Sequence, residues 1–307
     1  MKTLNEQAGQ IAAALAARAD ALRIATHRVG GSTVLDCGIA VPGGLQAGLA
    51  LASVCLGGRA EVSLAPGPAV QVVTDAPVVA CMASQYAGWQ VSVGKFFAMG
   101  SGPMRAVWAK EKLFADIPGQ ESSPVAVGVL ETRKLPTPEV IAYLSEQLSL
   151  PAEKLTLLCA PASSLAGTVQ VVARSLETAL HKLHELKFDL RQVVSGYGVA
   201  PLPPVAADEI QAIGRTNDAI LYGGQVTVWV RGDDEQLAAV GRQVPSSASK
   251  DHGAPFAEIF ERYSRDFYKI DPHLFSPAVI TLVNLTSGKQ HVFGRLEPDI
   301  LARSFGS

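Results

Sequence analysis

The sequence predicts a mixed α/β protein, and three observations carry that expectation. After residue 124 the chain alternates short β-branched runs with longer stretches of helical periodicity, the pattern of layered strands and helices. Before it, the text is rich in valine, glycine and alanine, in short runs that read as strands between turn residues. Hydrophobic residues make up 48% of the 307 positions and charged residues only 18%. That is below the usual quarter of charged residues, and it suits a large buried core and self-association.

Taken in order, residues 4 to 27 set alanine, leucine and isoleucine at helical spacing among Gln, Arg and Asp. They predict one opening helix, ended by the Gly30-Gly31 pair. TVLDCGIAV, AEVSLA, AVQVVTD and QVSV predict strands, with a helix at LQAGLALASVCLGG. The polar, turn-rich ADIPGQESSP at 115 to 124 is the expected boundary. It gives an N-terminal Gly/Ala-rich α/β lobe over residues 1–120 and a C-terminal α/β lobe over 121–307. PVAVGVLE then predicts a strand, PEVIAYLSEQLS a helix, KLTLLCAPA a strand, and SSLAGTVQVVARSLETALHKLHEL one long helix. RQVVSGYGVAPL, ADEIQAIGRTNDAIL and QVTVWVRG continue the alternation. FAEIFERYSRDFY predicts an amphipathic helix, and PAVITLVNL with KQHVFGRL two closing strands around the turn TSGK. The chain has no internal repeat and no low-complexity segment.

Several function classes drop out. Net charge is −2 and no block of lysine and arginine occurs, so the electrostatic footprint of a nucleic-acid binder is missing. The most apolar region, GIAVPGGLQAGLALASVCLGG, is broken by proline, glutamine and glycines and reads as buried core, not a membrane span. IAAALAA near the N-terminus is flanked by Glu6, Arg18 and Asp20 with no cleavage pattern, so a cytoplasmic location is expected. Cys37, Cys55, Cys81 and Cys159 are far apart in apolar surroundings and read as buried free thiols, with no metal site. No Walker motif, GxGxxG, GxSxG or HExxH is present, which leaves covalent and metal mechanisms without a signature. A small ligand is the expected partner.

One segment stands out. No charge occurs from Leu155 to Ala173; then Arg174 appears, with Glu177 three residues on. On a helix capped at Ser163 or Ser164, positions 165, 169, 172, 176, 180 and 183 form a continuous apolar stripe. On its flank runs a second, narrower stripe of Gly167, Gln170, Arg174, Glu177, His181 and His184. The plain account of Arg174 and Glu177 is an i,i+3 ion pair on a solvated edge, worth a few tenths of a kcal/mol. The charge-free run before them argues instead for a wall or floor, where such a pair has to be held by further bonds. Glycine-containing polar stretches, GKFFAMGSGP, ASSLAG, SGYGVAPLPP, GRTNDAILYGG and VPSSASKDHGAPF, are expected to be loops that bring backbone amides to a ligand.

Together GKFFAMGSGP, ASSLAGTVQVVARSLETALHKL, GRTNDAILYGG and PSSASKDHGAPFAEIFERYSRDFYKIDPHLFSPA resemble the methenyltetrahydromethanopterin cyclohydrolase family, in order and across almost the whole chain. The resemblance implies two mixed α/β lobes with the active-site cleft between them and a homotrimer. It implies no metal and no separate cofactor, the tetrahydromethanopterin derivative being the carrier of the substrate. The activity implied is reversible hydrolysis of a methenyl bridge to a formyl group in one-carbon metabolism. Its ARSxE motif puts the catalytic pair on Arg174 and Glu177. Lys95 and Ser101 of GKFFAMGSGP become expected substrate contacts, as do Arg215, Asn217 and Asp218 of GRTND.

The chemistry fits those residue types. The methenyl bridge is a formamidinium cation whose carbon is already electrophilic, so a positioned water and one carboxylate acting as base and then acid suffice. Two other readings stay open at this stage: a pterin- or nucleotide-binding protein in which the pair only braces the structure, and a folate-type methenyl cyclohydrolase.

Overall fold

The computed structural model describes residues 2–306, and the chain passes back and forth between two units. The first takes the chain up to Glu61 and again Val79–Gln170; the second takes Val62–Val78 and everything described from Val171 on. The strands are β1 Ala25–Val29, β2 Ser32–Asp36, β3 Glu61–Ala65, β4 Ala69–Thr74, β5 Trp89–Val93, β6 Phe96–Ser101, β7 Ala126–Glu131, β8 Leu155–Ala160, β9 Val193–Pro201, β10 Gln225–Val230, β11 Val279–Asn284 and β12 Gln290–Gly294. The α-helices are α1 Leu4–Ala16, α2 Ala19–Leu22, α3 Leu45–Cys55, α4 Met104–Trp108, α5 Pro138–Leu148, α6 Leu165–Val172, α7 Ser175–Glu185, α8 Glu209–Leu221, α9 Asp234–Gly241, α10 Phe256–Arg262 and α11 Pro298–Phe305. The mixed α/β class expected from the sequence is the observed one.

The first unit is built on a six-stranded sheet in the order β1-β2-β8-β7-β6-β5. Its centre, β2, β8 and β7, is parallel, and β1 and the β5–β6 hairpin add antiparallel edges. Both faces are covered. Leu35, Val127, Val129 and Leu158 pack with residues of α1 and α3, while Val34, Ala126, Leu130 and Leu157 pack with residues of α4 and α5. Burial on both sides is why LTLLCA reads as a continuous apolar run. The polar segment 115–124 lies inside this unit, between β6 and β7, which pair directly through Ser101 and Val129.

Local sequence explains the ends of elements better than their lengths. α1 starts on a capping box: Glu6 N donates to Thr3 Oγ1 at 3.1 Å, and Thr3 N donates to Glu6 Oε2 at 2.8 Å. The single helix expected over 4–27 is instead two helices and a strand, because Arg23 takes a left-handed φ of 55° and Ala25 opens β1. Gly30 and Gly31, with φ of 54° and 93°, form the tight β1–β2 hairpin turn and do not end a helix. The helix expected over FAEIFERYSRDFY stops at Arg262, with Ser264 and Arg265 at positive φ. A π-helix, Val78–Gln85, precedes β5, and nothing in its periodicity announces it.

The second unit carries another six-stranded sheet, β12-β11-β10-β9-β4-β3. Only β10 and β11 are parallel there; β9 pairs antiparallel with β10 and β4, and β12 with β11. Its strands alternate. Val70, Val72, Ala200, Val226, Val228, Ile280 and Leu282 are buried on one face, and the residues between them are half-buried or exposed. The stretches SGYGVAP and FFAMGS, expected as loops, lie in the strands β9 and β6, with Gly94 and Lys95 in the turn before β6, and GRTND lies within α8. No helix among the described residues is long and apolar enough to cross a membrane, and all four cysteines are buried free thiols.

Candidate active site

The long helix expected over residues 163–186 is broken at the residue the sequence singled out. α6 ends at Val172 and α7 begins at Ser175, with Arg174 between them at φ −85° and ψ 4°. Ser164 caps α6, its Oγ accepting from Gly167 N at 3.0 Å. Arg174 occupies the N-cap position of α7, and its carbonyl accepts the first bond of that helix, from Thr178 N at 2.9 Å. Neither proline nor glycine causes the break, which falls within four residues of the point where the chain passes from the first unit to the second.

This break changes what Glu177 is. In a continuous helix it would sit mid-helix; here it lies in the first turn of α7, where unpaired N–H groups and the helix dipole favour a negative charge. Arg174 Nη1 stands 4.0 Å from Glu177 Oε2, and the two side chains are only 9% and 6% exposed. The pair is therefore not the solvated edge of the plain account. Farther along the same flank, His181 and His184 approach the more exposed Glu185 at 3.9 and 3.7 Å, so the stripe runs out toward solvent.

Two glycines of β9 let α7 lie close. A Cβ at Gly198 would come within 2.6 Å of Ser175 Oγ and 2.9 Å of Leu176 N, and one at Gly196 within 2.7 Å of Leu176 Cδ2. SGYG thus serves close helix-on-strand packing, a role that only the fold reveals. Ser175 Oγ is buried without a hydrogen-bond partner. One turn below the pair, the buried Lys182 donates to His273 O at 2.7 Å. Burial pulls its pKa down to about 8, against the opposing charge of Asp271.

The other expected site residues lie elsewhere in the fold. Lys95 is exposed in the turn of the β5–β6 hairpin, beside Gly94 at φ 59°. Ser101 is buried at the opposite end of β6, roughly 20 Å away at about 3.3 Å per residue. Its Oγ lies 3.2 Å from Cys55 Sγ, which also receives a bond from Gln170 Nε2 at 3.4 Å. The end of the π-helix sits beside this polar pocket of side chains, held by a fully buried Arg105. That guanidinium donates to Met82 O at 2.9 Å and Ser84 O at 3.3 Å while pairing with Glu111 through a 2.7 Å bond from Nε. Arg105 on the short α4 and Glu111 beyond its end, six residues apart, had no spacing to flag them.

The GRTND residues face the framework of the second unit. Asp218 is buried and accepts from Phe256 N at 2.8 Å and from Ser304 Oγ at 2.6 Å, which ties α8 to α10 and α11. Burial pushes its pKa up to about 7 despite those two bonds, with Glu258 adding to the rise. Half-buried Arg215 donates to Ser304 O at 3.1 Å and Pro204 O at 3.2 Å, and half-buried Asn217 to Ile213 O at 2.8 Å. Among the described residues no three His, Cys, Asp or Glu side chains converge on a point able to hold a metal ion.

Fold and site together define a class: a mixed α/β protein with a guanidinium–carboxylate pair buried at the start of a helix. The comparisons narrow it. The family model described as Cyclohydrolase (MCH) matches residues 3–305. A methenyltetrahydromethanopterin cyclohydrolase of Rhodopirellula baltica is 48% identical over 91% of this chain and 87% of its own. One of Methylobacillus flagellatus is 44% identical over 99% and 95%, and one of Methanococcoides burtonii 42% over 90% and 89%. The chain belongs to this cyclohydrolase family.

Proposed function

We propose that this chain is a hydrolase that opens the methenyl bridge of methenyltetrahydromethanopterin to the formyl derivative, reversibly, in one-carbon metabolism. The observation that carries the residue assignment is the buried pair at the α6–α7 junction, Arg174 and Glu177, 4.0 Å apart. The substrate's methenyl carbon, flanked by two nitrogens and positively charged, needs no further activation, so we propose a reaction without metal or separate cofactor.

In this reading Glu177 takes one proton of a water as its oxygen bonds to the methenyl carbon. It returns that proton to the nitrogen outside the ring as the carbon–nitrogen bond breaks. The remaining hydroxyl proton leaves to solvent and the carbonyl forms, so methenyl cation and water become formyl product and one proton. Arg174 keeps the carboxylate oriented, and the carboxylate offsets the positive charge of the substrate. Lys95 captures the substrate as a mobile positive charge. It and Ser101, about 20 Å apart along β6, touch the same ligand only if that ligand is extended, as a pterin with a long side chain is. Arg215 and Asn217 are kept as contacts. Asp218, buried with one bond accepted at each oxygen, is kept with them and also braces α8. The working form is a homotrimer in the cytoplasm.

The test is carrier choice. With EDTA present, the purified protein is expected to discharge the methenyl chromophore of the methanopterin derivative and to leave methenyltetrahydrofolate largely untouched. Preference for the folate would reassign the substrate, and activity lost on chelation and restored by a divalent ion would overturn the metal-free mechanism.

A further inference from the structure

The π-helix Val78–Gln85 ends on bonds that come from outside it. Such helices are rare, usually a single turn, and concentrated at functional sites. Its last step is the bond from Tyr86 N to Cys81 O at 2.8 Å, after which the chain leaves the helix and the carbonyls of the final turn need partners from elsewhere. Arg105, on α4, supplies one: its Nη1 donates to Met82 O at 2.9 Å and to Ser84 O at 3.3 Å. Its Nε and Nη2 are taken by the two carboxylate oxygens of Glu111. The guanidinium carbon lies 5.0 Å from the centre of the Tyr86 ring and 5.5 Å from that of Phe114, so the cation is enclosed as well as bonded.

A buried ion pair is a weak source of stability, since apolar residues of the same volume commonly serve as well. The bonds around this one point to placement instead. Ser84 O accepts a second bond, from Gly102 N at 2.9 Å, and Gly102, at a left-handed φ of 85°, is the residue directly after Ser101. The Ser84 hydroxyl donates to Cys55 O at 2.7 Å, and Cys55 Sγ lies 3.2 Å from Ser101 Oγ. Ser84 is thus tied both to the backbone that follows Ser101 and to the residue whose sulfur meets its hydroxyl. The guanidinium grips the carbonyl of that one residue. A shift of Ser84 is passed to Ser101 by two routes, while the bond from Ser101 Oγ to Val129 O at 3.3 Å holds it from the side of β7.

We infer that Arg105 is a positioning residue for substrate binding: clamped by Glu111, it fixes the end of the π-helix so that Ser84 sets the place of Ser101. The inference deepens the proposed function and rests on the reading of Ser101 as a substrate contact. Arginine suits the task because its planar fork carries five N–H donors in fixed directions. Two edges can engage a carboxylate and a pair of carbonyls at once. A lysine ammonium is a compact point charge, and at the end of its flexible stem it can serve the carboxylate or the carbonyls but not hold the two in register.

The experiment is steady-state kinetics with methenyltetrahydromethanopterin for the wild type, Arg105→Lys, Ser101→Ala and the double variant, with folding checked by circular dichroism. Arg105→Lys is expected to raise KM about tenfold and to keep kcat within about threefold, because misplacing a contact removes binding and leaves the proton transfer intact. A residue that only filled space would instead lower the folded fraction, and with it kcat, at unchanged KM. Ser101→Ala is expected to raise KM as well, and the double variant to be no worse than the worse single one, as for two residues acting through one contact. Should Arg105→Lys fail to fold, Glu111→Asp keeps both charges but draws the guanidinium away from the two carbonyls, and a raised KM is again expected. A folded Arg105→Lys or Glu111→Asp enzyme with wild-type KM, beside a Ser101→Ala enzyme with raised KM, would overturn the inference and leave the Ser101 contact standing. Effects that multiply in the double variant would overturn it too. Wild-type KM in Ser101→Ala would remove that contact and the inference together, and a wild type that does not turn over this substrate would end the proposed function itself.

Discussion

The two sheets of this protein have six strands each and differ in what lies on them. In the first, helices cover both faces, the central strands are parallel, and β8 is apolar at nearly every position. In the second, one face is covered, most pairs are antiparallel, and buried and accessible residues alternate. The difference teaches where sequence variation carries information. A strand buried on both sides says only that it is buried, whereas the outward residues of a half-covered strand report what the outside meets. Here, on β4 and β9 to β12, they are mostly Val, Thr and aromatic residues. Each sheet also uses glycine for close packing, but against different neighbours: Gly128 of β7 faces the end of the Met104 side chain, and Gly198 of β9 faces the backbone at the start of α7.

The largest effect expected from breaking this comparison is chemical. Glu177→Gln, in the second unit, keeps size and much of the hydrogen bonding but cannot take a proton, so turnover should fall by roughly 10²–10⁴ with little change in binding. Lys95→Ala, in the first, should act mainly on KM. Steady-state kinetics of the two variants separate chemistry from capture. Near-wild-type turnover of Glu177→Gln, with the chemical step rate-limiting, would reduce the pair to architecture.

Next come the glycines. Gly198→Ala forces α7 away from β9 because the added carbon meets not only Ser175 Oγ, which can turn about χ1, but also the backbone Leu176 N, which cannot move without the helix. A loss of about 1–3 kcal/mol is expected, with lowered turnover because Arg174 and Glu177 move with the helix. Gly128→Ala is expected to cost less, since the thioether end of Met104 can swing aside. Denaturant midpoints of the two variants decide, and equal losses would contradict the distinction.

A smaller effect belongs to Asp218. Its pKa is raised from the ordinary 3.8 to about 7, so within that window the folded chain holds a proton that the unfolded chain has released. This contribution to stability falls as pH rises through the window and levels off above it. Asp218→Asn should flatten that slope, read as the change in melting temperature of wild type relative to variant between pH 4 and 7.5. The smallest effect is a null one in the first unit. Burial pushes the Cys37 thiol up to about 12 and Cys159 well above its ordinary value, so a thiol reagent at pH 8 should label neither until denaturant is added.

How much of this was legible depends on the range over which each feature is decided. Most strands were readable because β-branched runs and turn residues are local signals, and so was the importance of Arg174 and Glu177, announced by the first charges after a long apolar run. What the letters around them could not convey was the helix break at Arg174. Ala173, Arg174, Ser175 and Leu176 are all compatible with continuing a helix, so nothing local stops it. Docking of α7 on Gly196 and Gly198, some 20 residues later in the chain, is a long-range event with no periodicity to betray it. The same holds for Asp218, whose burial depends on Phe256 and Ser304, and for Gly196 and Gly198 themselves, which in sequence look like turn residues. By itself the sequence determined the elements, their apolar faces and the residues worth suspecting. The tertiary structure alone decided which helix turn Glu177 occupies and which sheet face stays open, because both follow from contacts between segments far apart in the chain.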